Sequence, residues 1–141
     1  MTHQAELRIL QRFHLRATKT KALADVVREG LPTDKAVDFL TWLSESVPRD
    51  ILIRVAGISR RTLERRNRGR LSPEQSDRVA RIARIIDDAV ESIGTEEQAL
   101  LWLNAPNQSL AGNRPVELLD TDAGARRVET VLGRLREGSF A

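Results

Sequence analysis

Apolar side chains recur along this chain at intervals of three and four, the spacing of one face of an α-helix, and no segment of more than four residues alternates as a strand would. Leu7, Leu10 and Phe13 form a first set and Leu23, Val26 and Val27 a second, which Gly30 and Pro32 end. A third segment opens at Thr33, a residue suited to an N-cap, and carries Val37, Leu40 and Leu43 on one face, widened by Phe39 and Trp42, until Pro48 breaks it. Ser72-Pro73-Glu74-Gln75 combines an N-cap, a proline at the first helical position and a capping-box glutamine. The helix it opens is long, with Val79, Ile82, Ala83, Ile86, Ala89, Val90 and Ile93 in one stripe and Gly94 as its stop. A second capping box, Thr95 to Gln98, starts a short helix with Leu100 and Leu103 that cannot continue past Pro106. After a loop over 104–114, Pro115 begins another short helix through Leu119, and Val128, Val131, Leu132 and Leu135 mark a last helix from about Asp122 to Glu137, ended by Gly138. The expected fold class is all-α.

Between Pro48 and Ser72 the segments shorten. RDILIRVAGISRRTLERRNRGR predicts two short helices around Ala56-Gly57-Ile58, where Gly57 supplies a positive φ, Ser59 caps the second helix, and Leu52, Ile58 and Leu63 point inward. That is the skeleton of a helix-turn-helix, whose second helix enters the DNA major groove. Charge strengthens this expectation: residues 54–84 carry 10 basic and 3 acidic side chains, residues 85–141 carry 5 and 10, and residues 1–53 carry 8 and 7. Of the 23 basic residues 20 are arginine, whose planar fork suits phosphates, guanine edges and acidic protein surfaces. The candidate DNA-binding residues are therefore Ser59, Arg60, Arg61, Thr62, Arg65, Arg66, Arg68 and Arg70. Arg60 and Arg61 lie near the helix start, within reach of base edges, and Arg68 and Arg70 are placed for phosphates. The competing readings of this cluster are an acidic protein partner or a solvated charged face.

Other chemistries find little support. Without cysteine there is no disulfide or thiolate site, and a reducing compartment fits best. The first residues lack the apolar core of a signal peptide and no run of 18 apolar residues occurs, so a cytoplasmic protein with no membrane partner is expected. His3 and His14 have no nucleophile or ligand at a mechanistic spacing. Asp87-Asp88 and Glu96-Glu97 diverge by about 100° on a helix, cannot act as a paired acid and base, and read as solvent faces. Ala111-Gly112-Asn113 is too short for a phosphate-binding loop. No catalytic residue, metal site or cofactor is expected. Trp42 and Trp102 lie on apolar stripes and are expected in the core. Phe140, beyond Gly138, is either idle or an anchor inserted into another protein.

Taken together, GISRRTLERRNRGRLSPEQSDRVARIARI and WLNAPNQSLAGNRPVELLDTDAGARRVETVLGRLREGSFA resemble the Xre/MbcA/ParS family of bacterial antitoxins over residues 33–141. The specific part is the order and spacing of Trp102-Leu103, Pro106-Asn107, Leu110, Gly112, Pro115, Leu118-Leu119, Thr121, Gly124, Val128, Leu132 and Gly138. The resemblance implies an Xre/Cro-like helix-turn-helix domain at 33–94 and a small helical toxin-binding domain at 95–141; residues 1–32 lie outside it and, from their helical spacing, form an N-terminal helical extension. It implies that the C-terminal domain blocks a RES-domain toxin, an enzyme that consumes NAD or transfers its ADP-ribose, and that the antitoxin itself has no catalytic role. Dimerisation or a toxin-antitoxin hetero-oligomer, and repression of its own promoter through operator DNA, are further implications. On this reading the toxin-binding residues are Trp102, Asn104, Pro106, Asn107, Leu110, Gly112, Arg114, Arg126, Phe140 and Ala141. The acidic Glu117, Asp120, Asp122, Glu129 and Glu137 are expected to complement a basic toxin surface. The alternative is a stand-alone Xre-type regulator in which 95–141 serves dimerisation or ligand sensing.

Overall fold

Capping residues, prolines and glycines cut the chain into helices at the places their chemistry dictates. A computed structural model describes residues 2–16, 22–64 and 69–138. Among these it shows α1 (His3–Arg12), α2 (Leu23–Glu29), α3 (Thr33–Leu43), α4 (Arg49–Ala56), α5 (Arg60–Glu64), α6 (Pro73–Ile93), α7 (Glu96–Leu103) and α8 (Asp122–Arg136). Two 3-10 turns, Gln108–Leu110 and Pro115–Asp120, lie between α7 and α8. Strand-like pairing among the described residues is confined to one isolated antiparallel bridge, Pro32 with Arg70. The Ser72 box closes in both directions: Gln75 N–H donates to Ser72 Oγ at 3.1 Å and Ser72 N–H donates to Gln75 Oε1 at 3.1 Å. Thr95 and Thr121 likewise cap α7 and α8 by accepting the N–H groups of Gln98 and Gly124.

Two local expectations change. Thr33 is the first residue of α3 and Pro32 holds the cap position; the Thr33 side chain is buried and its N–H donates to Gly69 O at 2.8 Å. Ile9 and Leu10 are the buried residues of α1 and Phe13 is buried at its C-cap, while Leu7 is only half-buried, where α1 packs on α6 and α2.

The core is organised on α6, which contacts α1, α2, α4, α7 and α8. Its predicted stripe is inward, with Val79, Ile82, Ala83, Ile86 and Ala89 buried. Ile85, on the neighbouring flank, is also fully buried, which is the signature of a helix covered on more than one side. Each fully buried isoleucine or valine here contributes about 1.5–3 kcal/mol relative to exposure. Nearly all the buried apolar residues among those described, from Ile9 to Leu132, join one cluster, so α6 belongs to both halves of the chain.

Ionic and aromatic contacts fasten the ends onto this helix. Phe13 meets Phe39 edge-on with centroids 4.9 Å apart, and Phe39 stacks obliquely on Trp42 at 5.8 Å. Asp87 pairs with Arg8 at 3.1 Å and Arg12 at 3.7 Å, while Arg12 also reaches Glu96 at 2.8 Å. Asp88 pairs with Arg136, whose guanidinium also donates to Ser92 Oγ at 2.8 Å. The reading of Asp87-Asp88 as a solvent face is therefore corrected. Their divergence around α6 lets one carboxylate hold α1 and the other hold the end of α8, and both are largely shielded. Among the described residues no helix is long and apolar enough to cross a membrane.

Candidate functional site

The helix-turn-helix is built as its residues predict. Gly57 adopts the left-handed conformation (φ 66°, ψ 31°) and its N–H donates to Ile53 O at 3.0 Å, ending α4. Leu52, Ile58 and Leu63 are buried beneath the turn. Gln75 of α6 donates from Nε2 to Gly57 O at 3.3 Å, and Arg78 covers the turn so closely that a Cβ at position 57 would lie 3.0 Å from its Nη1. Ser59 Oγ accepts the Thr62 N–H at 3.1 Å and lies 2.9 Å from Thr62 Oγ1. This cap fixes the first turn of α5 and leaves Arg60 and Arg61 exposed beside the helix N-terminus. Arg65, Arg66 and Arg68 lie outside the described residues. Arg70 is exposed, yet its Nη1 donates to Gly30 O at 2.9 Å, holding the α2–α3 connection. Arg78 is the basic residue at this face that periodicity assigns only to the flank of α6.

The C-terminal residues fall into two groups. Asn104, Asn107, Leu110 and Arg114 organise the 104–114 loop. Asn107 Oδ1 accepts the Ser109 N–H at 2.9 Å, and its carbonyl accepts the N–H groups of Leu110 and Gly112. Asn104 donates to Ser46 O at 2.9 Å and accepts from Arg114 at 3.4 Å, and Leu110 is buried. Pro106 and Gly112 are the exposed members that this scaffold presents. Trp102 and Trp42 are each half-buried at the core's edge rather than enclosed. Arg126 is exposed on α8 and pairs with Asp122 one turn before it at 3.0 Å. Phe140 and Ala141 lie outside the described residues.

The acidic side chains assigned to charge complementarity already have internal partners in three cases: Asp120 with Arg54 (3.5 Å), Asp122 with Arg126 (3.0 Å) and Glu129 with Arg84 (3.0 Å). Reversing their charge therefore perturbs the fold as well as any partner. Sequence reading passes over Leu101, which is 67% exposed and the large apolar side chain that the described surface leaves bare. Its signal is the unbroken apolar run Ala99–Leu103, longer than one buried stripe needs. No cluster of metal-ligating side chains occurs among the described residues.

Fold and geometry define a helix-turn-helix protein whose long central helix carries an appended helical domain. Residues 22–84 match the family described as an antitoxin Xre-like helix-turn-helix domain, and residues 88–138 match the antitoxin Xre/MbcA/ParS C-terminal toxin-binding domain. The chain is 35% identical over 130 residues to an "Antitoxin Xre" of Yersinia enterocolitica serotype O:8, covering 90% of this chain and 86% of that one. It is 31% identical over 116 residues to an "Antitoxin Xre" of Photorhabdus laumondii, covering 80% and 77%. A "Prs ADP-ribosylating antitoxin" of a Sphingobium strain is 28% identical over 127 residues, covering 82% and 79%. The chain belongs to the Xre antitoxin family.

Proposed function

We propose that this chain binds and inhibits a cognate RES-domain toxin, an enzyme that consumes NAD or transfers ADP-ribose, and represses its own operon through α4 and α5. In this reading the protein has no catalytic part of its own and acts in the cytoplasm, as a homodimer or as a hetero-oligomer with the toxin. The observation that carries it is the match of residues 88–138 to a toxin-binding domain, together with a structure in which that segment holds a preorganised loop against the core and presents Pro106 and Gly112 outward. The relative whose name joins antitoxin and ADP-ribosylation supports the class of toxin. Exposed Arg60 and Arg61 on a capped helix support operator binding, with phosphate contacts from neighbouring arginines making it salt-dependent. Asn104, Pro106, Asn107, Gly112 and Arg114 of the loop, with Trp102, Arg126 and the tail at Phe140 and Ala141, are assigned to the toxin contact, whereas Leu110, buried beneath the loop, shapes it from inside and is not itself a contact residue.

Co-expression tests this directly. Induction of the neighbouring reading frame alone is expected to arrest growth, and co-expression of this chain to restore it and to yield a co-purifying complex. Operator binding by this chain alone, with no growth arrest from the neighbouring product and no complex, would instead establish a stand-alone regulator.

A further inference from the structure

On α7 the five consecutive residues Ala99-Leu100-Leu101-Trp102-Leu103 are apolar, and at about 100° per residue they encircle the helix. The core takes only part of them. Ala99 and Leu103 are buried against it, Leu100 and Trp102 lie half-buried on the flanks, and Leu101 faces away at 67% exposure. A helix apolar all round is one that is covered on both sides in its working state. Beside Leu101 an open concavity of about 800 Å³ runs from α7 to the end of α3, lined by Trp42, Glu45, Glu97, Leu100, Asn104 and Pro106 among others. Glu96 at its edge is held by Arg12, while Glu45 and Glu97 are exposed. The lining carries three carboxylates and no basic side chain.

We infer that this acid-rimmed apolar surface is the docking face for the toxin, whose complementary patch is apolar at its centre and carries Lys or Arg opposite Glu45 and Glu97. The inference rests on the antitoxin reading above and adds a specific claim: α3 of the helix-turn-helix half shares the toxin contact with α7. Charge decides between a toxin and a second copy of this chain. A two-fold contact through this patch would set the same glutamates against each other, whereas a basic-rimmed partner is attracted by them. Size agrees, because a stable interface takes about 800 Å² from each partner, more than an eight-residue helix offers alone.

The test uses the full chain and the catalytically inactivated product of the neighbouring reading frame. Leu101→Arg is expected to weaken the complex at least tenfold. Glu45→Lys/Glu97→Lys is expected to weaken it at low salt, with the difference from wild type narrowing as salt rises. Both variants should keep the wild-type circular dichroism spectrum and solution mass, since none of the three side chains is buried. A variant that binds the toxin as tightly as wild type overturns the inference while leaving the antitoxin reading intact. A fall in the antitoxin's own mass with toxin binding unchanged would show that a second copy covers this face. Failure of the wild-type chain to bind the toxin at all overturns both readings.

Discussion

The Ser76 hydroxyl is fully buried on the inner side of α6 and accepts the Leu31 N–H at 2.8 Å. Removing it leaves a main-chain donor without a partner in apolar surroundings, which costs about 1–3 kcal/mol. Ser76→Ala should lower the unfolding free energy by that amount in a urea titration, even though alanine is the better helix former. An unchanged midpoint would mean that another acceptor serves Leu31. Gly124 makes a comparable point about space. A Cβ there would fall 1.9 Å from the carbonyl oxygen of Leu118, so main chain meets main chain and no side chain can give way. Gly124→Ala would favour an isolated helix by about 1 kcal/mol. Here it should destabilise by about 1–3 kcal/mol, seen as a fall in the thermal midpoint. The family resemblance marks Gly124 without its reason and hydrophobic periodicity passes over Ser76, because each depends on a main-chain partner that neither reveals.

Helices α4 and α5 were the most legible elements, and the reason is locality. Gly57, Ser59 and the inward Leu52, Ile58 and Leu63 act within a few residues of one another, and each does what its position predicts. What escaped the sequence is non-local: Arg70 reaches back to Gly30, Arg78 covers the turn, and Asp87 and Asp88 hold opposite ends of the chain. This sorts the arginines for experiment. Arg60→Ala and Arg61→Ala should each weaken operator binding by about 1–3 kcal/mol while leaving non-specific binding nearly unchanged, as mobility shifts on operator and scrambled duplexes would show. An equal loss on both duplexes would reassign them to phosphates. The loop 104–114 was legible as a loop, but its anchoring to the core was not, because Asn104 binds the Ser46 carbonyl, 58 residues away, which only the fold brings near.

At the scale of the whole molecule the decisive feature is that both halves pack on one 21-residue helix. Unfolding of either half strips apolar cover from α6, so the chain should melt in one transition. Trp42 on α3 and Trp102 on α7 report the two halves separately. Trp42→Phe and Trp102→Phe variants, each leaving one indole, are expected to show fluorescence transitions that coincide with the circular dichroism transition of the same variant. An earlier transition for Trp102 alone would reveal an independently folding C-terminal half. The two family segments, 22–84 and 88–138, meet inside α6 rather than in a loop. Every residue gained or lost at that seam turns all that follows by about 100° and displaces it by about 1.5 Å, parting Glu129 from Arg84. Recombination that trades toxin specificities among relatives is thus open only to parents whose central helices are in phase.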